Sequence, residues 1–214
     1  TLTTKTPTTL WVNTLKITVD DFVALLKQDG YALELIKWHG AAFRYYGETS
    51  IAKHWSYAAG LFQIQEEVSM LSGCILKVSP DQVVMDMCAA PGNKTAQLAV
   101  SMNNTGTLVA NDIDFGRMRA FGQIAKRLGL VNVSTTIYDA GSFPNTGEYF
   151  DAVMADVPCS CEGTFRKNLN TPARVSTEKQ SRALAKRQFD ILMKAIKLCK
   201  PGGHILYSTC TFSP

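Results

Sequence analysis

The sequence predicts an α/β fold: an open, doubly wound, mostly parallel sheet with helices on both faces. Three observations predict it. From residue 82 onward short apolar runs alternate with stretches of helical periodicity, which is the pattern of consecutive βαβ units. The first of these runs empties into a turn of small residues that opens a helix, MDMCAAPGNKTAQLA. Acids then stand at or just past the ends of three later runs, at Asp112, Asp139 and Asp156. In such sheets ligands gather beyond the carboxyl ends of the strands.

Taken in order, residues 21–28 (DFVALLKQ) carry apolar positions at helical spacing, with Gly30 as a stop signal. A second helix is predicted over 60–72, where Leu61, Ile64, Val68 and Leu71 fall on one face. VVMDM (83–87) reads as a strand, KTAQLAV (94–100) as a helix, TLVAN (107–111) as a strand and residues 115–129 as a helix. VSTTI (133–137), AVMAD (152–156) and HILYS (204–208) are further strands, with a long helix at about 178–199 between the last two.

Composition bounds the class. At 214 residues and 46% hydrophobic, the chain can bury one sizeable core, so one main domain is expected. No apolar run approaches the roughly 18–20 residues of a membrane span, and TLTTKTPTTL lacks the apolar centre of a secretory signal, so a soluble protein is expected. Six cysteines are too few for a disulfide scaffold, and Cys159 and Cys161, separated by Ser160, fit neither a zinc half-site nor a redox pair. No metal is expected, and a reducing intracellular compartment is favoured over secretion, with cytosol, nucleus and organelle left open.

The net charge of +4 is unevenly spread: residues 163–201 hold ten bases against two acids, a net of +8, which leaves −4 for the rest. The bases include Arg166, Lys167, Lys179, Arg182, Lys186 and Arg187. A solvated helix face would explain them. Beside a reactive cysteine they also form a footprint for a polyanion such as nucleic acid.

The turn after the first strand matches neither a dinucleotide fingerprint nor a phosphate-binding loop. Its small residues Ala89, Ala90 and Gly92 let the backbone approach a ligand, and the helix it opens offers N–H groups to an electronegative partner. A carboxylate at Asp112 can accept from ribose hydroxyls. With Asp139 and Asp156 it rings the crevice with acids, which suits a nucleoside bearing hydroxyls and an amino group. Any one of these acids alone is more often a helix N-cap or turn former.

Cys159 and Cys210 lie just past the tips of the fourth and fifth strands of this α/β region. If those strands are neighbours, their tips lie about 5 Å apart and both thiols overhang one crevice. Either cysteine alone reads as a small buried hydrophobe, but two at equivalent strand ends are hard to explain by packing. A thiolate is a strong nucleophile, and one that adds to C6 of a pyrimidine makes C5 reactive, while a second thiol can help take the product off. Asp156 stands where it can meet the polar edge of a base.

The stretches MCAAPGNKT, DVPCSCEGTFRKN and GGHILYSTCTFSP resemble the cofactor, Pro-Cys and Thr-Cys motifs of the NSUN/RsmB (Nop/Sun) family of RNA 5-methylcytosine methyltransferases. GLFQIQEEVSML resembles the family's segment leading into the catalytic domain, and LWVNTLKITVDDFVALL is similar to the start of its small N-terminal subdomain. The resemblance covers nearly everything from residue 10 to the end. It implies a Rossmann-like methyltransferase fold with a small α+β N-terminal subdomain. Residues 1–59 would be part of an RNA-docking subdomain and 60–214 an S-adenosylmethionine-dependent methyltransferase domain.

By the same resemblance, Cys88, Ala89, Ala90, Pro91, Gly92, Asn93 and Lys94, with Asp112, Asp139 and Asp156, would bind S-adenosylmethionine. Cys210, in the Thr-Cys motif, would attack C6 of a cytosine in RNA, ribosomal in preference to transfer RNA. Cys159, in the Pro-Cys motif, would help free the enzyme from the methylated base. Lys94 and Asp156 would also reach the cytosine, and the basic window would hold the RNA phosphates. DNA cytosine methyltransferases use their Pro-Cys cysteine as the nucleophile, so the Thr-Cys motif favours RNA.

Two departures from the family pattern carry expectations. Asn93 stands where the family has Gly; Asn tolerates positive φ, so the turn should keep its shape. The chain stops at Pro214, where the family continues with an acidic segment and the last strands. The fifth strand is therefore expected at a sheet edge, and the chain is expected to be a portion of a longer protein. Two other functions remain open on the residues alone: an RNA-binding ribosome-assembly factor retaining this fold, and a small-molecule methyltransferase. The aromatic residues Trp38, Phe43, Tyr45 and Tyr46 could pack or stack on bases.

Overall fold

The computed structural model describes residues 6–161 and 177–211. Its first part is a four-stranded antiparallel sheet in the order β2-β3-β1-β4, built from β1 (Thr8–Val12), β2 (Leu33–Leu35), β3 (Ala42–Tyr45) and β4 (Phe62–Ile64). Helix α1 (Val19–Gln28) follows β1, and the short helix α2 (Trp55–Ala58) precedes β4. The start of α1 is set by Thr18, whose side chain accepts from the Asp21 N–H. Phe22 and Leu26, one turn apart, bury its inner face with Leu10, Val12, Phe43 and Tyr45. Phe43 and Tyr45 are therefore packing residues, whereas Trp38 and Tyr46 are exposed.

The helix predicted over 60–72 is replaced by a strand, β4, and a later helix, α3 (Glu67–Leu76). β4 pairs with β1, Leu10 opposite Ile64, so backbone pairing to a distant strand overrides the local helical spacing. It also carries residues 62–64 into the first sheet, past the division expected at residue 59. The apolar face foreseen for the helix is split: Leu61 and Ile64 pack against the core of the first sheet, while Val68, 74% exposed, and Leu71 face outward. The buried residues of α3 are Met70, Ser72, Gly73 and Leu76. A Cβ on Gly73 would lie 2.6 Å from the Gln97 side chain, so small residues set how closely α3 approaches its neighbour.

The second part holds β5 (Val83–Asp86), α4 (Asn93–Ser101), β6 (Thr107–Asn111), α5 (Phe115–Leu128), β7 (Val133–Thr136), β8 (Phe150–Asp156), α6 (Glu178–Leu198) and β9 (Cys199–Ser208). The strands form one parallel sheet in the order β7-β6-β5-β8-β9. Alternate residues of a strand feed opposite faces: Met85 and Val153 pack with Ile191 of α6, while Val84, Ala152 and Met154 pack with Leu98 of α4. Strand order reverses between β5 and β8, which places the crevice at their carboxyl ends. β9 lies at the sheet edge, as expected. No helix among the described residues is long and apolar enough to cross a membrane.

The two parts share a core. Trp11, Ile36 and Ala42 of the first pack with Met70 of α3 and with Ala96, Val100 and Leu128 of the second. Asn13 Nδ2 donates to the Leu128 carbonyl at 2.9 Å, and Arg127 donates to the carbonyls of Tyr57 and Phe62 and to the Gln63 side chain. The Arg127 guanidinium also lies 4.1 Å from the centre of the Tyr57 ring.

Candidate active site

β5 ends on a carboxylate that the sequence reasoning passed over. Asp86 is 1% exposed. Its Oδ2 accepts from Thr95 Oγ1 at 2.6 Å and its Oδ1 from the Cys88 N–H at 3.3 Å, so one side chain ties the strand end to the turn and to α4. Burial pushes the Asp86 carboxyl up to about 7. The signal available in the sequence was an acid inside an apolar strand, between Met85 and Met87.

Residues 88–92 continue the turn, and Gly92 takes a left-handed conformation with φ of 108°. A Cβ there would sit 2.1 Å from Phe121 Cδ2, so only glycine fits. Positive φ thus falls on Gly92, while Asn93 is the first residue of α4, its Oδ1 accepting from Gln63 Nε2 at 2.6 Å. Asn93 has no left-handed conformation to accommodate. The turn is also sewn to the end of β6: Ala89 N–H donates to the Asn111 carbonyl at 2.7 Å and Ala90 N–H to Asp112 Oδ2 at 3.1 Å. Asn111, fully buried, donates to the carbonyls of Met87 and Tyr138 and accepts from the Tyr138 N–H and Thr136 Oγ1, all at 3.0 Å. Burial, with Asp86, Asp112 and Asp156 around it, pushes the Cys88 thiol up to about 12.

The three acids stand at or past the carboxyl ends of β6, β7 and β8. Asp112 lies at the end of β6, buried and also accepting from the Asp114 N–H at 2.9 Å. Asp139 accepts from the Gly141 N–H and from Arg187, both at 2.9 Å. Asp156 closes β8, where Oδ1 accepts from Ser208 Oγ at 2.7 Å and Oδ2 pairs with Lys94 Nζ. Beside Asp112, Ile113 and Phe115 are exposed apolar side chains that the sequence reasoning did not single out.

β8 and β9 are neighbours, with Asp156 opposite Ser208 and the Val157 N–H continuing the ladder to the Ser208 carbonyl at 2.9 Å. The two strand tips therefore deliver Cys159 and Cys210 to one place, with their sulfurs 3.0 Å apart. Ser160 Oγ and Thr211 Oγ1 meet at 2.7 Å and hold the two loops together. At this separation the two sulfurs are within hydrogen-bonding reach, so the two groups titrate as a linked pair. Hydrogen bonding from Cys210, opposed by burial and aided by Thr209, brings Cys159 down to about 5, and the same contact, with burial and the Cys159 charge, pushes Cys210 up. The contact at the crevice mouth thus favours ionisation of one thiol of the pair and opposes loss of the second proton. Cys161 adds a third sulfur, and all three sulfurs lie within 4.8 Å of one another.

Residues 73–214 match the family described as 16S rRNA methyltransferase RsmB/F. The chain belongs to the RsmB/F family. Over 210 residues it is 39% identical to ribosomal RNA small subunit methyltransferase F of Aeromonas salmonicida, a match that covers 94% of this chain and 44% of that protein. It thus spans less than half the length of such relatives. A methyltransferase homologue from Pyrococcus horikoshii is 32% identical with a TM-score of 0.88, covering 100% of this chain and 67% of that one. NSun6 from Pyrococcus horikoshii, solved with SFG, shares the fold at 22% identity and a TM-score of 0.88, covering 99% of this chain and 78% of that one. The family inferred from three motifs and the Rossmann-like fold expected with it both hold.

In this RsmB/F member the basic window divides. Arg166 and Lys167 lie outside the described residues. Helix α6 starts at a capping box, in which Thr177 accepts from the Gln180 N–H and the Gln180 side chain accepts from the Thr177 N–H. Lys179, Arg182 and Lys186 are exposed on its first half; Arg182 pairs with Glu178 at 2.5 Å and Lys186 with Asp190 at 3.2 Å. Arg187 turns inward to Asp139. It therefore belongs to the crevice wall more than to an outer phosphate-binding face.

Proposed function

We propose that this RsmB/F chain is the catalytic part of an enzyme that methylates C5 of a cytosine in RNA, with ribosomal RNA as the favoured substrate, using S-adenosylmethionine. The observation that carries the proposal is the pair of sulfurs 3.0 Å apart at the tips of β8 and β9, beside the Lys94–Asp156 pair.

The donor set suits the cofactor. The first turn of α4, opened by the tight bend at Gly92, leaves N–H groups for the amino acid carboxylate. The acids Asp112, Asp139 and Asp156 suit the ribose hydroxyls, amine and positive sulfur, and the exposed Ile113 and Phe115 offer apolar surface to a purine. S-adenosylmethionine, when bound, supplies a methyl group from its sulfonium.

The chain's own groups divide the remaining work. Cys210 Sγ adds to C6 of the cytosine as its proton passes to the Cys159 thiolate, which raises electron density at C5. Lys94 and Asp156 meet the polar edge of the base and balance the charge that builds on the ring. Once C5 carries the methyl group and Cys159 has released its first proton to solvent water, Cys159 takes the C5 proton as the C6–S bond breaks. That proton then passes to the departing Cys210 thiolate, which restores the starting pair. A base must leave its stack to reach this pocket, which favours loops or locally opened RNA, and Lys179, Arg182 and Lys186 offer charge to the flanking phosphates.

The test uses single substitutions and labelled methyl transfer into ribosomal RNA by the full-length protein. Cys210→Ala is expected to abolish transfer, and Cys159→Ala to leave a covalent protein–RNA adduct visible on a denaturing gel. Normal turnover by Cys210→Ala would refute the assignment.

A further inference from the structure

The proposed chemistry uses two of the three sulfurs at the crevice mouth. Cys161 is left over, and its position is unusual. It takes φ of 60°, a left-handed conformation that disfavours residues carrying a Cβ. From there its thiol joins Cys159 and Cys210 in a cluster whose three sulfurs are all within 4.8 Å of one another.

We propose that Cys159, Cys161 and Cys210 form a three-thiolate site for a soft divalent cation of the zinc type, and that the bound ion blocks the reacting pair. At a Zn–S distance of about 2.3 Å, tetrahedral ligands stand about 3.8 Å apart. The sulfurs here, 3.0 Å apart for Cys159 and Cys210 and none more than 4.8 Å from another, bracket that spacing. Shifts of under about an ångström in side chains at two loop tips bring them onto one ion.

Thiolates favour soft cations over magnesium or calcium. Three protein ligands leave a fourth position to water, so the ion is exchangeable, in contrast to a closed four-ligand structural site. Binding displaces the thiol protons, and no electron transfer or further reactant is needed. The binding claim stands on the three sulfurs alone. Its inhibitory consequence rests on the proposed roles of Cys159 and Cys210.

Cadmium is the probe, because thiolate-to-metal charge transfer reports sulfur ligation directly. The reduced full-length protein is titrated with Cd²⁺, followed by Zn²⁺ competition against a chromogenic chelator. The expected result is one ion per chain with a charge-transfer band, weakened on the order of tenfold or more in Cys161→Ser and in Cys159→Ser, and unchanged in Cys88→Ser. Thermal melting of each variant checks that it is folded. Absence of the band from the wild-type protein, or Cys161→Ser binding as tightly as wild type, would overturn the site. If methyl transfer is measurable, Zn²⁺ should lower the wild-type rate at concentrations that leave Cys161→Ser near its own metal-free rate; equal sensitivity would overturn the inhibitory role while leaving the band as the test of binding. A protein that binds Cd²⁺ as expected but shows no methyl transfer would count against the proposed function and not against the site.

Discussion

The two banks of the crevice are built on opposite plans. On the β5–β6 bank, Asp86, Asn111 and Asp112 are buried, and each holds the next segment of backbone or side chain in place: Asp86 binds Thr95 and Cys88, Asn111 bridges Met87 to Tyr138, and Asp112 holds Ala90. On the β8–β9 bank, Cys159 is half-buried and Cys210 exposed, and their loops meet through the sulfur contact and the Ser160–Thr211 hydroxyl pair. The first bank is a preformed shape, in which a polar group lost is a segment set loose. The second is a set of poised reactive groups that can change protonation without moving the fold.

The contrast predicts unequal costs. Gly92→Ala on the preformed bank forces a Cβ toward Phe121 at a φ of 108° and should cost about 3 kcal/mol or more. That lowers the melting temperature by roughly 6–12 °C, whereas Cys210→Ala should leave melting nearly unchanged. Equal losses in the two variants would erase the distinction between the banks.

Asp86 gives a pH signature of the same bank. Its folded pKa of about 7 lies above the ordinary value of 3.8. Between the two the folded protein holds a proton that the unfolded chain has released, so this group makes stability fall as pH rises from about 4 to about 7. Relative to Asp86→Asn, the wild-type protein should lose on the order of 2 kcal/mol between pH 5 and pH 7. Parallel pH profiles in denaturant melts would contradict the buried carboxyl.

The poised bank should show itself in thiol chemistry. At pH 6.5, iodoacetamide should label the Cys159–Cys210 pair first and spare Cys88, whose thiol is pushed up to about 12. Peptide mass spectrometry reads the order, and Cys88 labelled first would reverse it. The smallest effect belongs to Arg187→Ala, which removes a half-exposed pair with Asp139 and should cost under about 1 kcal/mol, less in high salt.

How much of this could be read from sequence depended on whether the cause was local. The parallel sheet was legible because each strand and helix from 82 onward carries its own periodicity, and observed ends such as Thr107–Asn111 agree with it. The meeting of Cys159 with Cys210 was legible because consecutive strands tend to pair, and β8 and β9 do. β4 was not: Phe62–Ile64 is a strand only because β1 lies beside it, and its spacing fits a helix equally well. Asp86 was overlooked because an acid within a strand has no fixed spacing to a turn. Cys161 falls outside the known metal spacings, and its partners become visible only when two strand tips are set side by side.

The Arg127 clamp and the mixed Trp11–Leu128 core fasten the antiparallel sheet to the parallel one by apolar packing and polar contacts together. A protease that nicked the connection near residues 65–67 would therefore leave both pieces docked, and they would migrate as one particle until denaturant separated them. Whatever the small sheet grips is held at a constant offset from the thiols, as a vice bolted to the bed of a lathe holds its workpiece to the cutter.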